Sequence, residues 1–337
     1  MERQLEFGSS KNLRDLSYDV LKGILILLVV LGHSIEDPFG NVCWNNVLFN
    51  FIYTFHMPLF IMVSGYFSHS MINRSFGTVL KSKWKRIGIP WLIWSTVLVI
   101  IYYTSVSYSN DPLSGIGANV KEIYRMYTEI WYLVCVLVLS IIYYPILYWI
   151  KRTEGIKLYI LPCVFVILWI LSIVFFDETP NWLLKRCQIV RQTLAFGLGM
   201  LYYFKIQHQK GWRWTFTIMS ILIIIGDRLL FGLWIAEYTL FERIIDGVAC
   251  GILAFAILKP LSSFIKDSYV GKLLVYFGEY SLAIYVIHMT IRYFVLDNCY
   301  LQQASPLIYY AIYLSASLVI MVIIKRIFKS NSYLFGV

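Results

Sequence analysis

Apolar residues in this chain fall in long blocks, separated by short stretches rich in Lys, Arg, Asp and Glu. A block of about 20 apolar residues is what an α-helix needs to cross a hydrocarbon layer of about 30 Å. On that basis the pattern predicts ten transmembrane helices, over residues 18–37, 46–68, 87–107, 130–150, 157–176, 188–204, 212–231, 243–259, 273–296 and 306–328. The sixth is the weakest, because Arg191 and Gln192 lie within it. The apolar run 20–31 carries Lys22, follows a polar segment and has no small-residue cleavage site after it, so it reads as a retained first helix. Neither an internal repeat nor a low-complexity segment is visible.

Composition agrees with the pattern. Of 337 residues, 59% are hydrophobic and 14% charged, against about 45–50% and about 25% in a soluble domain, and the mean hydropathy is +0.68. These figures exclude a soluble enzyme, a disordered chain and a secreted disulfide scaffold. The expected fold class is an all-α integral membrane protein, a single transmembrane domain over 1–337 with no appended soluble domain. Eleven Trp and 26 Tyr suit many membrane–water interfaces.

The net charge of +10 has a topological reading. Twenty Lys and Arg fall on the side of the termini and six on the other, with Lys22, Arg191 and Arg292 inside spans. That asymmetry predicts cytoplasmic termini and an even number of spans in the inner or plasma membrane. Nucleic acid is not needed as a partner; the lipid bilayer is. The six cysteines, Cys43, Cys135, Cys163, Cys187, Cys250 and Cys299, are scattered with no C-x-x-C and read as apolar fillers. The sequon Asn73-Arg74-Ser75 falls on the cytoplasmic side.

Ionisable residues within spans are costly and therefore candidates for function. Asp19 and Lys22 are three apart and can pair on one helix face. His33 follows Lys22 by 11 positions, about three turns, so both face the same way about 16 Å apart along the axis. A boundary ion pair and a hydrogen-bonded core histidine would satisfy the same spacing. Counting helical rise from the span ends places His33 and His288 about 22 Å up and His56 about 15 Å down from the opposite surface, a common depth that suggests one polar cavity. No H-E-x-x-H and no carboxylate–His spacing supports a metal, and none is expected. Glu129, just before Trp131-Tyr132-Leu133, and Asp246 are the further cavity candidates. Glu36, Asp37, Asp227, Arg228, Glu242 and Arg243 read as solvated charges, while Arg191 and Arg292 need partners the sequence does not name.

The segment Lys81-Ser82-Lys83-Trp84-Lys85-Arg86, ahead of Pro90, reads as a basic cytoplasmic loop. It is either a positive-inside anchor or a dock for a phosphorylated cytosolic ligand. Walker, G-x-G-x-x-G and G-x-S-x-G motifs are absent, and Ser64 reads as a helix-packing residue.

Five stretches in order resemble the membrane-bound acyltransferase family 3, and within it the fucose 4-O-acetylase-related acetyltransferase branch. They are the first helix from Ser17-Tyr18-Asp19-Val20-Leu21-Lys22 to Leu31-Gly32-His33-Ser34; Phe55-His56-Met57-Pro58-Leu59-Phe60 with Ser64-Gly65-Tyr66-Phe67; Lys83-Trp84-Lys85-Arg86; Glu129-Ile130-Trp131-Tyr132-Leu133; and Gly278-Glu279-Tyr280-Ser281 through Ile284-Tyr285-Val286-Ile287-His288. Lys22 stands where the family commonly has Arg, and Lys83 and Arg86 where two Arg are common. Both departures keep the charge and lose a bidentate fork.

The resemblance implies transfer of an acyl group, usually acetyl, from cytosolic acetyl-CoA to a sugar hydroxyl. Under it, Lys83, Lys85 and Arg86 hold the CoA phosphates, Lys22 meets the pyrophosphate and Asp19 orients Lys22. His33 is the catalytic base or first takes the acyl group itself, and His56, Glu129 and His288 line the acceptor side. The implied partners are acyl-CoA and a glycan or lipid-linked saccharide acceptor, and a homo-oligomer is compatible with all of this. A glycan or glycolipid transporter fits the composition equally well. A different intramembrane acyltransferase family using His with Asn, and an acceptor such as a lipid or an antibiotic, are the remaining alternatives.

Overall fold

The computed structural model describes residues 14–105, 116–152, 167, 170, 188–204, 206–231, 240–296 and 304–337. All regular structure among them is helical. The long helices are α1 (Leu16–Phe39), α2 (Val47–Tyr66), α3 (Phe76–Lys83), α4 (Ile89–Thr104), α5 (Ile116–Glu129), α6 (Trp131–Ile142), α7 (Tyr144–Arg152), α8 (Ile189–Phe204), α9 (Lys210–Phe231), α10 (Leu240–Ile265), α11 (Tyr269–Glu279), α12 (Ser281–Leu296) and α13 (Pro306–Phe328). Six helical stretches are long and apolar enough to cross a membrane: Leu16–Phe39, Val47–Met71, Phe76–Thr104, Trp131–Ile150, Ile245–Ile265 and Pro306–Phe335. They coincide with six of the ten expected spans.

Of the other four, three differ. The expected span 273–296 is two helices, α11 and α12, bent by 68°. Span 188–204 is the 16-residue α8, shorter than the ~20 residues a crossing needs. Span 212–231 lies in α9, of which Arg213–Gly226 is apolar. Span 157–176, apart from residues 167 and 170, lies outside the described residues, as do Cys163, Cys187 and Cys299, and the side chains of Asp227, Arg228, Glu242 and Arg243 are likewise not described.

The basic stretch before Pro90 also departs from expectation. It is helical rather than a loop, running through α3 and a π-helical turn, Trp84–Gly88. Pro90 cannot donate a backbone hydrogen bond and its ring crowds the preceding turn. The wider π turn, closed by the Ile89 amide on the Trp84 carbonyl, carries the chain past it without ending the helix.

Helix α1 sits at the centre, packed on α2, α10, α11, α12 and α13. Its start is capped by Asp15, whose carboxylate accepts from the Ser17 amide and hydroxyl. Two reciprocal glycine contacts draw helices together to backbone distance. A Cβ on Gly23 would lie 2.1 Å from the Leu274 carbonyl oxygen, and one on Gly278 would lie 1.8 Å from that of Asp19. This lock holds α11 against the basic end of α1, and the chain turns at Tyr280 before α12 climbs toward His33. The pair Gly65 and Gly199 joins α2 to α8 in the same way, with Cβ positions 2.0 and 1.9 Å from the Phe196 and Met62 carbonyl oxygens.

Candidate active site

Two adjoining cavities flank one stripe of α1. The first, about 230 Å³, is lined by Lys22, Ile26 and Val29 of α1, with Lys83, Ser64, Tyr132, Ser281 and apolar side chains around them. The second, about 330 Å³, is lined by Val29, His33 and Glu36, with His56, Glu129, Arg191, Gln192, Asp246 and Arg292. Val29, Met57 and Tyr285 line both, so these three side chains form the shared wall. The helical period thus places Lys22 in one cavity and His33 in the next, on the common face their spacing predicts.

At the basic end, Asp19 is buried between two cations. Its carboxylate is 2.8 Å from the Lys22 ammonium and 2.7 Å from Arg14 Nε, and Arg14 reaches Glu279 at 2.9 Å. Hydrogen bonding to Asp19 is the largest influence on the Arg14 guanidinium and holds its pKa above the usual value. A second contact pins the start of α1: Lys259 lies 3.0 Å from Asp15 and 4.1 Å over the Tyr18 ring. Burial would raise the Asp15 pKa, but the Ser17 and Lys259 hydrogen bonds outweigh it and hold the carboxyl below its ordinary value.

The structure divides the basic cluster expected to act as one. Lys83 lines the cavity with Lys22. Lys85 stacks its ammonium 4.3 Å from the Tyr333 ring centroid, and Arg86 is exposed. Ser64 shares a 2.9 Å hydrogen bond with the Tyr132 hydroxyl, in keeping with a packing role.

At the far end of α1, His33 Nδ1 donates to Glu36 Oε2 over 2.8 Å. The Tyr53 hydroxyl donates to the same oxygen over 3.1 Å, and Arg292 lies 3.0 Å from it. Arg292 also meets Asp37 at 2.6 Å, and the Tyr313 hydroxyl caps Asp37 from α13. Two carboxylates thus share one guanidinium beside the imidazole. An ionised carboxylate only accepts hydrogen bonds, so Nδ1 carries the proton and Nε2 offers its lone pair. His56 and His288 instead donate Nδ1 to backbone carbonyls, of Ile52 at 2.7 Å and Ile284 at 2.8 Å. A carbonyl fixes a tautomer; a carboxylate also stabilises the imidazolium that forms when the ring takes a proton. That distinction sets His33 apart from His56 and His288.

Glu36 and Asp37 are therefore not the solvated charges expected. Asp37 has a side-chain exposure of 1%, and both carboxylates answer the need of Arg292 for partners. The i, i+3 spacing of His33 and Glu36 was a usable signal, since it stacks the two on one face. Glu129 lines the cavity and is tethered to Arg125 at 3.5 Å. His288 is fully buried, its ring centroid 5.5 Å from that of His33, and backs His33 rather than lining the cavity. Sequence reasoning also passed over Gln192. Its side chain is 2% exposed, it lines the cavity, and its amide oxygen has no hydrogen-bond partner among the described residues. A buried amide oxygen without a partner is uncommon and costly.

Residues 15–326 match the profile of a family described as an acyltransferase domain. The chain is 32% identical over 132 residues to nodulation protein NolL of Sinorhizobium fredii, covering 37% of this chain and 35% of that protein. It is 39% identical over 95 residues to nodulation protein NolL of Mesorhizobium japonicum, covering 26% and 24%. It is 28% identical over 140 residues to glucans biosynthesis protein C of Salmonella paratyphi B, covering 38% and 36%. The chain thus spans about a third or less of the length of these relatives. No solved structure matches it.

Proposed function

On the premise that the chain belongs to this acyltransferase family, we propose that it is a multi-pass O-acyltransferase of the inner or plasma membrane with cytoplasmic termini. It moves an acetyl group from cytosolic acetyl-CoA to a carbohydrate hydroxyl. The observation that carries the reading is the stripe on α1, which sets a cation in one cavity and a carboxylate-backed histidine in the adjoining one. The similarity to a glucans biosynthesis protein of Salmonella supports a carbohydrate acceptor.

The first cavity suits the narrow acyl-bearing arm of a phosphorylated donor. Lys22 and Lys83 supply positive charge, and the remaining walls are mainly apolar. Lys85 and Arg86 extend the field outside the cavity and draw the donor in from the cytosol. The thioester supplies an electrophilic carbonyl and a thiolate leaving group. His33 Nε2 takes the proton of the acceptor hydroxyl as the new C–O bond forms, and returns it to the departing thiolate as the C–S bond breaks. The products are the ester and free CoA, with no net proton change. Glu36 holds the ring in the working tautomer and Arg292 holds Glu36. Gln192, Glu129 and His56 bind and orient the acceptor.

The test is transfer of label from acetyl-CoA, in membranes containing the protein, into glycan from which mild alkali releases it. His33→Ala is expected to abolish the label while the protein inserts normally, since a general base contributes roughly 10²–10⁴-fold. Retained transfer by this variant overturns the mechanism. Glycan movement across the membrane without any ester would make the protein a transporter instead.

A further inference from the structure

Away from Lys22 and Lys83, the first cavity is walled largely by Ile26, Phe60, Val63, Leu133 and Val136, side chains that neither donate nor accept hydrogen bonds. Ser64 of α2 and Tyr132 of α6 stand among them, with their hydroxyl oxygens 2.9 Å apart. Ser64 Oγ also lies 3.1 Å from the Phe60 carbonyl oxygen and can donate to it. The two protons therefore have two arrangements. When Ser64 donates to Phe60, Tyr132 donates to Ser64, and the phenol oxygen keeps a lone pair for an N–H in the cavity. When Ser64 donates to Tyr132, the phenol proton is free for a carbonyl there. Turning two hydroxyls, with no heavy atom displaced, lets the pair serve either function. Its place is set by ring packing. Tyr132 lies edge to face on Phe60 and Tyr285, at centroid distances of 5.7 and 5.6 Å. Tyr285 belongs to the wall shared with the His33 cavity, and Tyr132 lines the Lys22 side of that wall alone.

We infer that Tyr132, its hydroxyl fixed by Ser64, binds the amide nearest the thioester in the arm of an acyl-CoA donor. This inference rests on the acyltransferase reading and adds a donor-binding residue to it. The arm is a chain of methylenes interrupted by amides, and the first amide follows the sulfur by two carbons. With the acyl carbon at the shared wall, that amide falls close behind it on the Lys22 side. An amide carries one N–H and one C=O, the two functions the hydroxyl pair can serve. Taking an amide into apolar surroundings is costly unless it is hydrogen-bonded, so this pair governs how firmly the end of the arm is held.

The experiment uses the full chain in membranes and follows alkali-labile label in glycan over a range of donor concentrations. Two labelled donors are compared: acetyl-CoA, and an analogue in which two methylenes replace the amide nearest the thioester. For the wild type, the analogue is expected to show a KM about five- to tenfold higher than acetyl-CoA, with kcat little changed. Tyr132→Phe is expected to raise the KM for acetyl-CoA by the same factor and to treat the two donors alike. A helix-packing role alone would leave the preference for acetyl-CoA intact in the variant, and that result overturns the inference. So does a fall in kcat with donor KM unchanged, which would put the hydroxyl on the reacting carbonyl instead. Absence of label from wild type with acetyl-CoA overturns the acyltransferase reading and, with it, this one. If Tyr132→Phe does not fold, Ser64→Ala leaves the ring packing in place and decides: the preference for acetyl-CoA should fall about threefold, and an undiminished preference overturns the inference.

Discussion

The cavity at Lys22 and the cavity at His33 are parted by three side chains, Val29, Met57 and Tyr285, yet they are built from different materials. Around Lys22 two cations and two carboxylates balance, and Lys83 adds a further positive charge at an otherwise mainly apolar wall. Around His33 two carboxylates outnumber the one guanidinium between them. The first environment suits an anionic head followed by an apolar arm. The second holds an imidazole whose Nδ1 is fixed on a carboxylate.

Substitutions should separate the two cavities by kinetic signature. The largest effect is expected for Glu36→Gln. The amide can donate to Nδ1 and reverse the ring, so kcat should fall by up to ~10⁴, as for other carboxylates that fix a catalytic tautomer, with the KM for acetyl-CoA unchanged. An equal rise in donor KM would show that the cavities are not independent. Next is Lys22→Ala, for which the loss of a charge-assisted contact should raise the acetyl-CoA KM roughly ten- to a hundredfold and leave kcat within a few-fold; Lys22→Arg should restore it. A fall in kcat alone would move Lys22 from donor binding to the chemistry. The smallest is Gln192→Leu, where one neutral hydrogen bond to the acceptor is lost. The acceptor KM should rise about five- to tenfold with the donor KM unaltered, and a shift in donor KM would place Gln192 on the wrong side of the shared wall.

The parts of this arrangement that depend on one helix were legible in the sequence. Lys22 and His33 share a face by count alone, and Asp19 pairs with Lys22 as its i, i+3 spacing requires. The parts that depend on two helices were not. Arg292 and Glu36 lie 256 residues apart, and only packing of α12 on α1 shows that a buried guanidinium and a charge near a helix end are one unit. The basic stretch at Lys83 read as a loop because charge density marks loops, whereas a π turn carries the helix through it. The break at Tyr280 was hidden for the opposite reason. Both halves are apolar, and hydropathy records neither the bend nor the close approach of Gly278 to Asp19 beside it.

The glycine lock between α1 and α11 turns α1 into a gauge. With Gly23 and Gly278 fixing the basic end of the helix against its neighbour, everything beyond is set by residue count. Each residue added or removed between Lys22 and His33 would move the imidazole by 1.5 Å and swing it about 100° around the axis, out of line with the cavity and away from Tyr53 and Arg292. The separation of the Lys22 ammonium from the His33 imidazole is therefore written as an integer, the 11 steps between them. The side chains at those steps can vary as packing allows; their number cannot.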